Sequence, residues 1–206
     1  KNAIIVDDDA DLDEAVIGVM HSAFGYLGQK CSACSRVIVL DAVHDAFCER
    51  LVEATRSLSI GPAELPGSQI GPLIDSAAVD KVRRYIELGS KEGAEMLTGG
   101  LDAPALPVAL SGGNFVRPTV FAGTNEMVIA REEIFGPVLV MIGYKDVDDA
   151  VAIANDSTFG LAGYVNGEDV EACRAIGRRI RAGWICLNNG FDFHAPFGGY
   201  KRAGNG

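Results

Sequence analysis

Two of the chain's five cysteines, Cys31 and Cys34, stand three residues apart in the segment GQKCSACSR, Gly28–Arg36. Three chemistries use cysteines at such a spacing. A structural zinc site needs four ligands. Cys31 and Cys34 offer two, no second C-x-x-C follows, and His21, His44 and His194 are far apart in sequence. A dithiol redox pair sits at the start of a helix, where the positive dipole end lowers a thiol pKa. Here the pair follows a helical pattern and precedes a strand-like run, which is the opposite polarity. The third chemistry is a single nucleophile, Cys31, with Cys34 packed beside the strand. Sulfur attacks carbon readily near neutral pH, most of all where a base or a positive dipole favours the thiolate. The plain alternative is two small buried hydrophobes, the usual fate of free cysteines. Spacing alone does not choose between the last two.

Periodicity supplies the elements that must position Cys31. Ala3–Val6 is a short apolar strand. Asp11 with Glu14 three residues on has capping-box spacing for a helix. Leu12, Ala15, Val16, Val19, Met20, Ala23, Phe24 and Leu27 then form one helical face. Gly25, Gly28 and the loss of that pattern after Leu27 place Cys31 in a turn at the end of a strand, where open α/β folds form crevices. Val37–Leu40 is the next strand. Asp41 is expected to cap a second helix with the stripe Val43, Phe47, Leu51, Ala54 and Leu58. A Gly- and Pro-punctuated loop follows. A third helix spans about 76–92, with Val79, Val82, Ile86 and Gly89 inward.

Residues 98–114 are rich in Gly and Pro and are expected to be irregular or hairpin-like. FVRPTVF, Phe115–Phe121, is strand-like, with Pro118 suggesting an edge. Val138–Tyr144 is a near-continuous apolar strand. A helix carrying Val147, Ala150, Val151 and Ala154, a strand Leu161–Val165, a helix carrying Val170, Cys173, Ile176 and Ile180, and a strand Trp184–Asn188 complete the chain. Strands that alternate with helices and are apolar on both faces predict an α/β fold, a mostly parallel open sheet with helices on both faces. Its crossovers are expected to be right-handed.

The 206 residues suit one domain with a sizeable core. A net charge of −10 and a pI near 4.7 argue against nucleic acid or an anionic membrane as partner, since both need a basic face. No apolar run approaches the ~20 residues of a membrane span, and no signal peptide is visible. Five scattered cysteines, an odd number, point to reduced thiols and a cytoplasmic setting. There is neither G-x-G-x-x-G after a strand nor G-x-x-x-x-G-K-[ST], so no phosphate-cradling loop is expected within the chain. It opens without Met on an apparent core strand and ends inside a glycine-rich loop. Residues 1–206 are therefore expected to be one domain of a longer protein.

Four segments carry a resemblance. GQKCSACSR is similar to the G-Q-x-C segment of the NAD(P)-dependent aldehyde dehydrogenase superfamily. REEIFGPVL (Arg131–Leu139) resembles its E-E-I-F-G-P-V segment, and APFGGYKRAGNG (Ala195–Gly206) its P-F-G-G-x-K-x-S-G segment. FGLAGYV (Phe159–Val165) fits between the last two. All four fall in the family's order. The resemblance implies the catalytic domain, with Cys31 as nucleophile and no role for Cys34. It implies attack on a small-molecule aldehyde, loss of hydride to NAD or NADP, and hydrolysis of a Cys31 thioester to the acid. The oxyanion donors would be the Cys31 N–H and an asparagine of another domain. Glu133 matches the residue that holds the nicotinamide-ribose hydroxyls, and Phe135 the aromatic that braces the nicotinamide end. Lys201 would be a structural or surface lysine of the glycine-rich loop, no metal is implied, and the parent enzyme would be a homo-oligomer.

The resemblance also places the general base, a glutamate of E-L-G-G-K ending at Lys1, and the dinucleotide domain upstream. The oligomerisation arm lies downstream. The chain alone is accordingly expected to lack turnover. Its nucleophile loop is similar to that of 1-pyrroline-5-carboxylate dehydrogenases, where Ser32 would help to hold a substrate carboxylate. Those enzymes carry a Gly-Ser pair before P-F-G-G, and here that loop is NNGFDFHAPFGG (Asn188–Gly199). Phe191 and Phe193 suggest an apolar lining, Asp192 would repel a carboxylate, and His194 would accept one. A general aliphatic or aromatic aldehyde is favoured over glutamate semialdehyde. A non-catalytic binding or structural module is the alternative of a different class.

Overall fold

The structure, a computed structural model, describes residues 1–192 and 194–204. The elements run β1 (Ala3–Val6), α1 (Leu12–Phe24), β2 (Arg36–Leu40), α2 (His44–Ser57), α3 (Ser76–Lys91), β3 (Glu95–Thr98), β4 (Thr119–Ala122), α4 (Val128–Arg131), β5 (Val138–Tyr144), α5 (Val147–Asn155), β6 (Phe159–Gly160), β7 (Ala162–Asn166), α6 (Val170–Gly177), β8 (Trp184–Leu187) and β9 (Tyr200–Lys201). Seven strands form one sheet in the order β3-β4-β5-β2-β1-β7-β8. All its pairings are parallel except β3 with β4.

Strand alternation sorts side chains into two layers, as a sheet covered on both faces requires. Ile4, Val6, Val37 and Val39 face one core with α1, α2 and α3. Ala3, Ile5 and Ile38 face the other with α5 and α6. β2 lies at the centre of the sheet, so the turn that precedes it, with Cys31, sits over the middle of the sheet's edge.

The α1 cap forms as expected: the Asp11 carboxylate accepts from the N–H groups of Asp13 and Glu14. Several expectations fail: Ile180 lies beyond α6, and residues 115–118 lie outside β4. Asp41 does not cap α2; Val43 occupies that position with no side-chain bond, because the chain makes an extra turn first. α1 ends at Phe24 rather than at Leu27. Tyr26 and Leu27 then take left-handed φ values of 54° and 55°. β4 is not an edge strand: it lies between β3 and β5, and Pro118 escapes the penalty because it precedes the first paired residue. β3, which gave no periodic signal, covers that edge.

Two cations close the C-terminal end of α5, where carbonyls lack intrahelical donors. Arg36 donates to the Ile153 and Ala154 carbonyls, and the Lys201 ammonium donates to those of Asn155 and Ser157. Lys201 thus ties the glycine-rich segment to the end of α5. Among the described residues no helix is long and apolar enough to cross a membrane.

Candidate active site

Cys31 occupies a corner of a tight turn closed by the Ala33 N–H donating to the Lys30 carbonyl at 3.1 Å. The corner position leaves Cys31 exposed. Cys34, three residues on, is 2 % exposed and its thiol donates to the Arg36 carbonyl at 3.2 Å. The two sulfurs therefore sit in different environments. Among the described residues the only group of three potential metal ligands within reach of one another is Asp7, Asp8 and Asp9, away from both cysteines.

Burial pushes the Cys34 thiol up to about 12. An unfolded thiol ionises near 8.5. The stabilising difference is therefore fully present below pH 8.5 and is lost as pH rises toward 12. Raising the pH from 8 to 10.5 is expected to lower unfolding free energy by on the order of 2 kcal/mol through Cys34. Urea midpoints at the two pH values check this, and Cys34→Ala should remove that part of the slope.

A pocket of about 230 Å³ opens beside the turn. It is lined among others by Asn2, Cys31, Glu133, Phe135 and Arg202, so three of the candidate residues share one cavity. Glu133 is exposed and makes no hydrogen bond or ion pair among the described residues. Its neighbour Glu132 accepts from the Tyr85 hydroxyl at 2.6 Å, which anchors the segment to α3. Phe135 has φ 58° and is 42 % exposed. A bulky residue in that region costs on the order of 1–3 kcal/mol and persists only where its surroundings enforce it. The next residue is closely packed: a Cβ on Gly136 would lie 2.3 Å from a Val82 methyl.

The two loops meet backbone to backbone at Gly28. Its φ is +66°, and a Cβ there would lie 2.5 Å from the Gly136 carbonyl oxygen and 2.9 Å from that of Ala23. Gly28→Ala is expected to cost on the order of 3 kcal/mol, from left-handed strain plus displaced backbone. A loss below 1 kcal/mol in chemical denaturation would mean that the loops are not locked together.

The other candidates lie elsewhere. Ser32 is not among the residues lining the pocket; its carbonyl accepts from the Tyr164 hydroxyl at 2.8 Å. Phe191 is also outside that lining and meets the Trp184 ring edge-on at 4.5 Å. Phe193 lies outside the described residues. Sequence reasoning missed the groups that hold the turn. The Asn2 amide donates to the carbonyls of Cys31 and Ala33. Ser22 accepts from the Cys34 N–H at 3.1 Å. Arg36 reaches back to the Lys1 carbonyl. Only the polar positions of Asn2 and Arg36 beside apolar strand runs hinted at them.

Comparison with known proteins gives a consistent result. The aldehyde dehydrogenase family model matches residues 1–206. A curated relative from Staphylococcus aureus (strain USA300) is 43% identical over 208 residues, covering 100% of this chain and 43% of its own. The chain thus spans less than half the length of such relatives. The crystal structure of HpcC from Thermus thermophilus superposes with a TM-score of 0.94 at 40% identity, over 100% of this chain and 41% of that one. A mutant aldehyde dehydrogenase C from Pseudomonas syringae, complexed with NAD+ and octanal, gives 0.93 at 41% identity, over 100% and 42%. A betaine aldehyde dehydrogenase mutant from Staphylococcus aureus in complex with NAD+ gives 0.94 at 32%, over 100% and 42%.

Proposed function

This chain belongs to the aldehyde dehydrogenase family, and we propose that it is the catalytic domain of an NAD(P)-dependent enzyme that oxidises an aldehyde to a carboxylic acid. The observation that carries the proposal is the shared pocket of Cys31, Glu133 and Phe135. In this reading the Cys31 thiolate adds to the aldehyde carbon and forms a thiohemiacetal. The oxygen of that adduct takes negative charge, and the Cys31 N–H, which makes no hydrogen bond among the described residues, is available to meet it. Collapse expels hydride and leaves a thioester on Cys31. Water then releases the acid and regenerates the thiol.

The nicotinamide cofactor, when bound, supplies the hydride acceptor. The residues present suit its reactive end. Glu133 offers a carboxylate that makes no hydrogen bond among the described residues, the acceptor that a pair of ribose hydroxyls needs. Phe135 offers a ring held out by its backbone. An aliphatic or aromatic aldehyde is preferred over glutamate semialdehyde. Trp184 packs with Phe191 at 4.5 Å and Phe197 at 5.8 Å, and Asn188–Gly199 lacks the Gly-Ser pair of the semialdehyde enzymes. A homo-oligomeric, cytoplasmic parent enzyme completes the proposal.

Two measurements test it. In a protein of the relatives' length that carries this chain, aldehyde-dependent NADH formation at 340 nm is expected, and its absence across a broad aldehyde panel would favour a non-catalytic module. In the chain itself, peptide-resolved iodoacetamide labelling at pH 8 should modify Cys31 at least tenfold faster than Cys34. Equal rates would remove the single-nucleophile reading.

A further inference from the structure

We propose that Asn2 is a positioning residue for the nucleophile, holding the Cys31 turn in the one orientation that presents thiol and N–H together. This rests on Cys31 being the nucleophile. The Asn2 amide nitrogen lies 2.8 Å from the Cys31 carbonyl and 2.9 Å from the Ala33 carbonyl. Its oxygen accepts from the Ala162 N–H of β7 at 3.1 Å. Asn2 is 7 % exposed, so these are its bonds rather than water's. The orientation of the amide is unambiguous, because reversing it would set an oxygen against two carbonyls and an NH2 against an N–H.

A tight turn has one soft motion. Its central peptide, here the one between Cys31 and Ser32, can rotate by roughly half a turn between the two common turn types. That rotation swings the Cys31 carbonyl and changes the torsions on either side of it. The Asn2 bond to this carbonyl selects one state. The Ala33 carbonyl is fixed by the same NH2, and the Ser32 carbonyl by Tyr164 from β7. Three consecutive carbonyls are thus tied to the sheet. Cys31 lines the pocket, and its N–H makes no hydrogen bond among the described residues. Asn2 does not itself stabilise an oxyanion, since both its donors are spent on the turn. It acts through Cys31.

A residue that fixes a nucleophile beside its own oxyanion donor matters for acyl transfer and not for simple displacement. Attack on an activated ester passes through a tetrahedral oxyanion, whereas alkylation by iodoacetamide does not. The test compares both reactions at Cys31 in the chain, by peptide mapping. One is acylation by p-nitrophenyl acetate, in which the thiolate takes the acetyl group and p-nitrophenolate leaves. The other is alkylation, in which iodide leaves. Asn2→Ala and Asn2→Asp, which both lack the two donors, should lower the ratio of acylation to alkylation at least fivefold, with alkylation within twofold of the parent. Asn2→Ser keeps one donor and should lie between. It carries the comparison, with at least a twofold fall, if the others do not fold. A ratio unchanged in folded Asn2 variants, or both rates falling in step, would overturn the proposal. A parent Cys31 that alkylates yet is never acylated would overturn the nucleophile reading, and this proposal with it.

Discussion

Arg36→Met is expected to lower the unfolding free energy by about 4 kcal/mol, more than Gly28→Ala. The guanidinium is 1 % exposed and donates to four acceptors: the Asn125 side-chain oxygen at 2.6 Å and the carbonyls of Lys1, Ile153 and Ala154 at 2.7, 2.8 and 3.0 Å. Burial pushes the guanidinium down to about 10, so it stays charged at pH 7. Its counter-charge is indirect: Asn125 relays to the Asp156 carboxylate, which also pairs with Arg131. A buried ion pair can often be replaced by apolar groups at little cost, but only when both partners are replaced. Here three of the four acceptors are backbone and remain. Met would fill the space and leave them without donors. Chemical denaturation checks the figure, and a loss under 1.5 kcal/mol would mean that water enters and replaces the donors. Arg36 also borders the turn at Cys34 and the start of β1 at Lys1, so the same variant should loosen the base of the pocket.

Cys31→Ser carries the largest expected effect on activity. If Cys31 forms the thioester, its replacement should lower aldehyde-dependent NADH formation, in a protein of the relatives' length, by at least about 10⁴-fold. Serine is close in size but is a far weaker nucleophile when nothing activates it. Cys34→Ser should instead leave the rate within about tenfold, since Cys34, although it also borders the pocket, is buried with its thiol donating to the Arg36 carbonyl. Its cost should appear in stability. Residual activity in Cys31→Ser above one per cent would reassign the nucleophile. Thermal unfolding of each variant separates loss of chemistry from loss of fold. An exposed cysteine at a turn corner has few packing partners, so Cys31→Ser should shift the midpoint by less than 2 °C, corresponding to under about 0.5 kcal/mol.

The amino-acid sequence by itself determined the alternation of helices and strands, because each element carries its own period: the α1 face, the β5 run and the α6 stripe are local patterns that local geometry must honour. It also determined the motif set around Cys31, Glu133 and Phe135, since motif order along the chain needs no folding. What it could not decide were relations between distant residues. β3 has too short and too polar a pattern to announce itself, and only its pairing with β4 makes it a strand and moves Pro118 away from an edge. The spacing of GQKCSACSR left its two cysteines alike, and the resemblance favoured Cys31; the fold adds the difference in exposure, with Cys31 at an exposed turn corner and Cys34 buried. Asn2 and Arg36 were ordinary polar residues until the sheet order set Asn2 beside Ala162 and Arg36 beside the end of α5. A hydrogen bond depends on a few tenths of an ångström between groups that here lie up to 160 residues apart. Periodicity fixes which face a side chain takes, and tertiary packing alone fixes what it meets there.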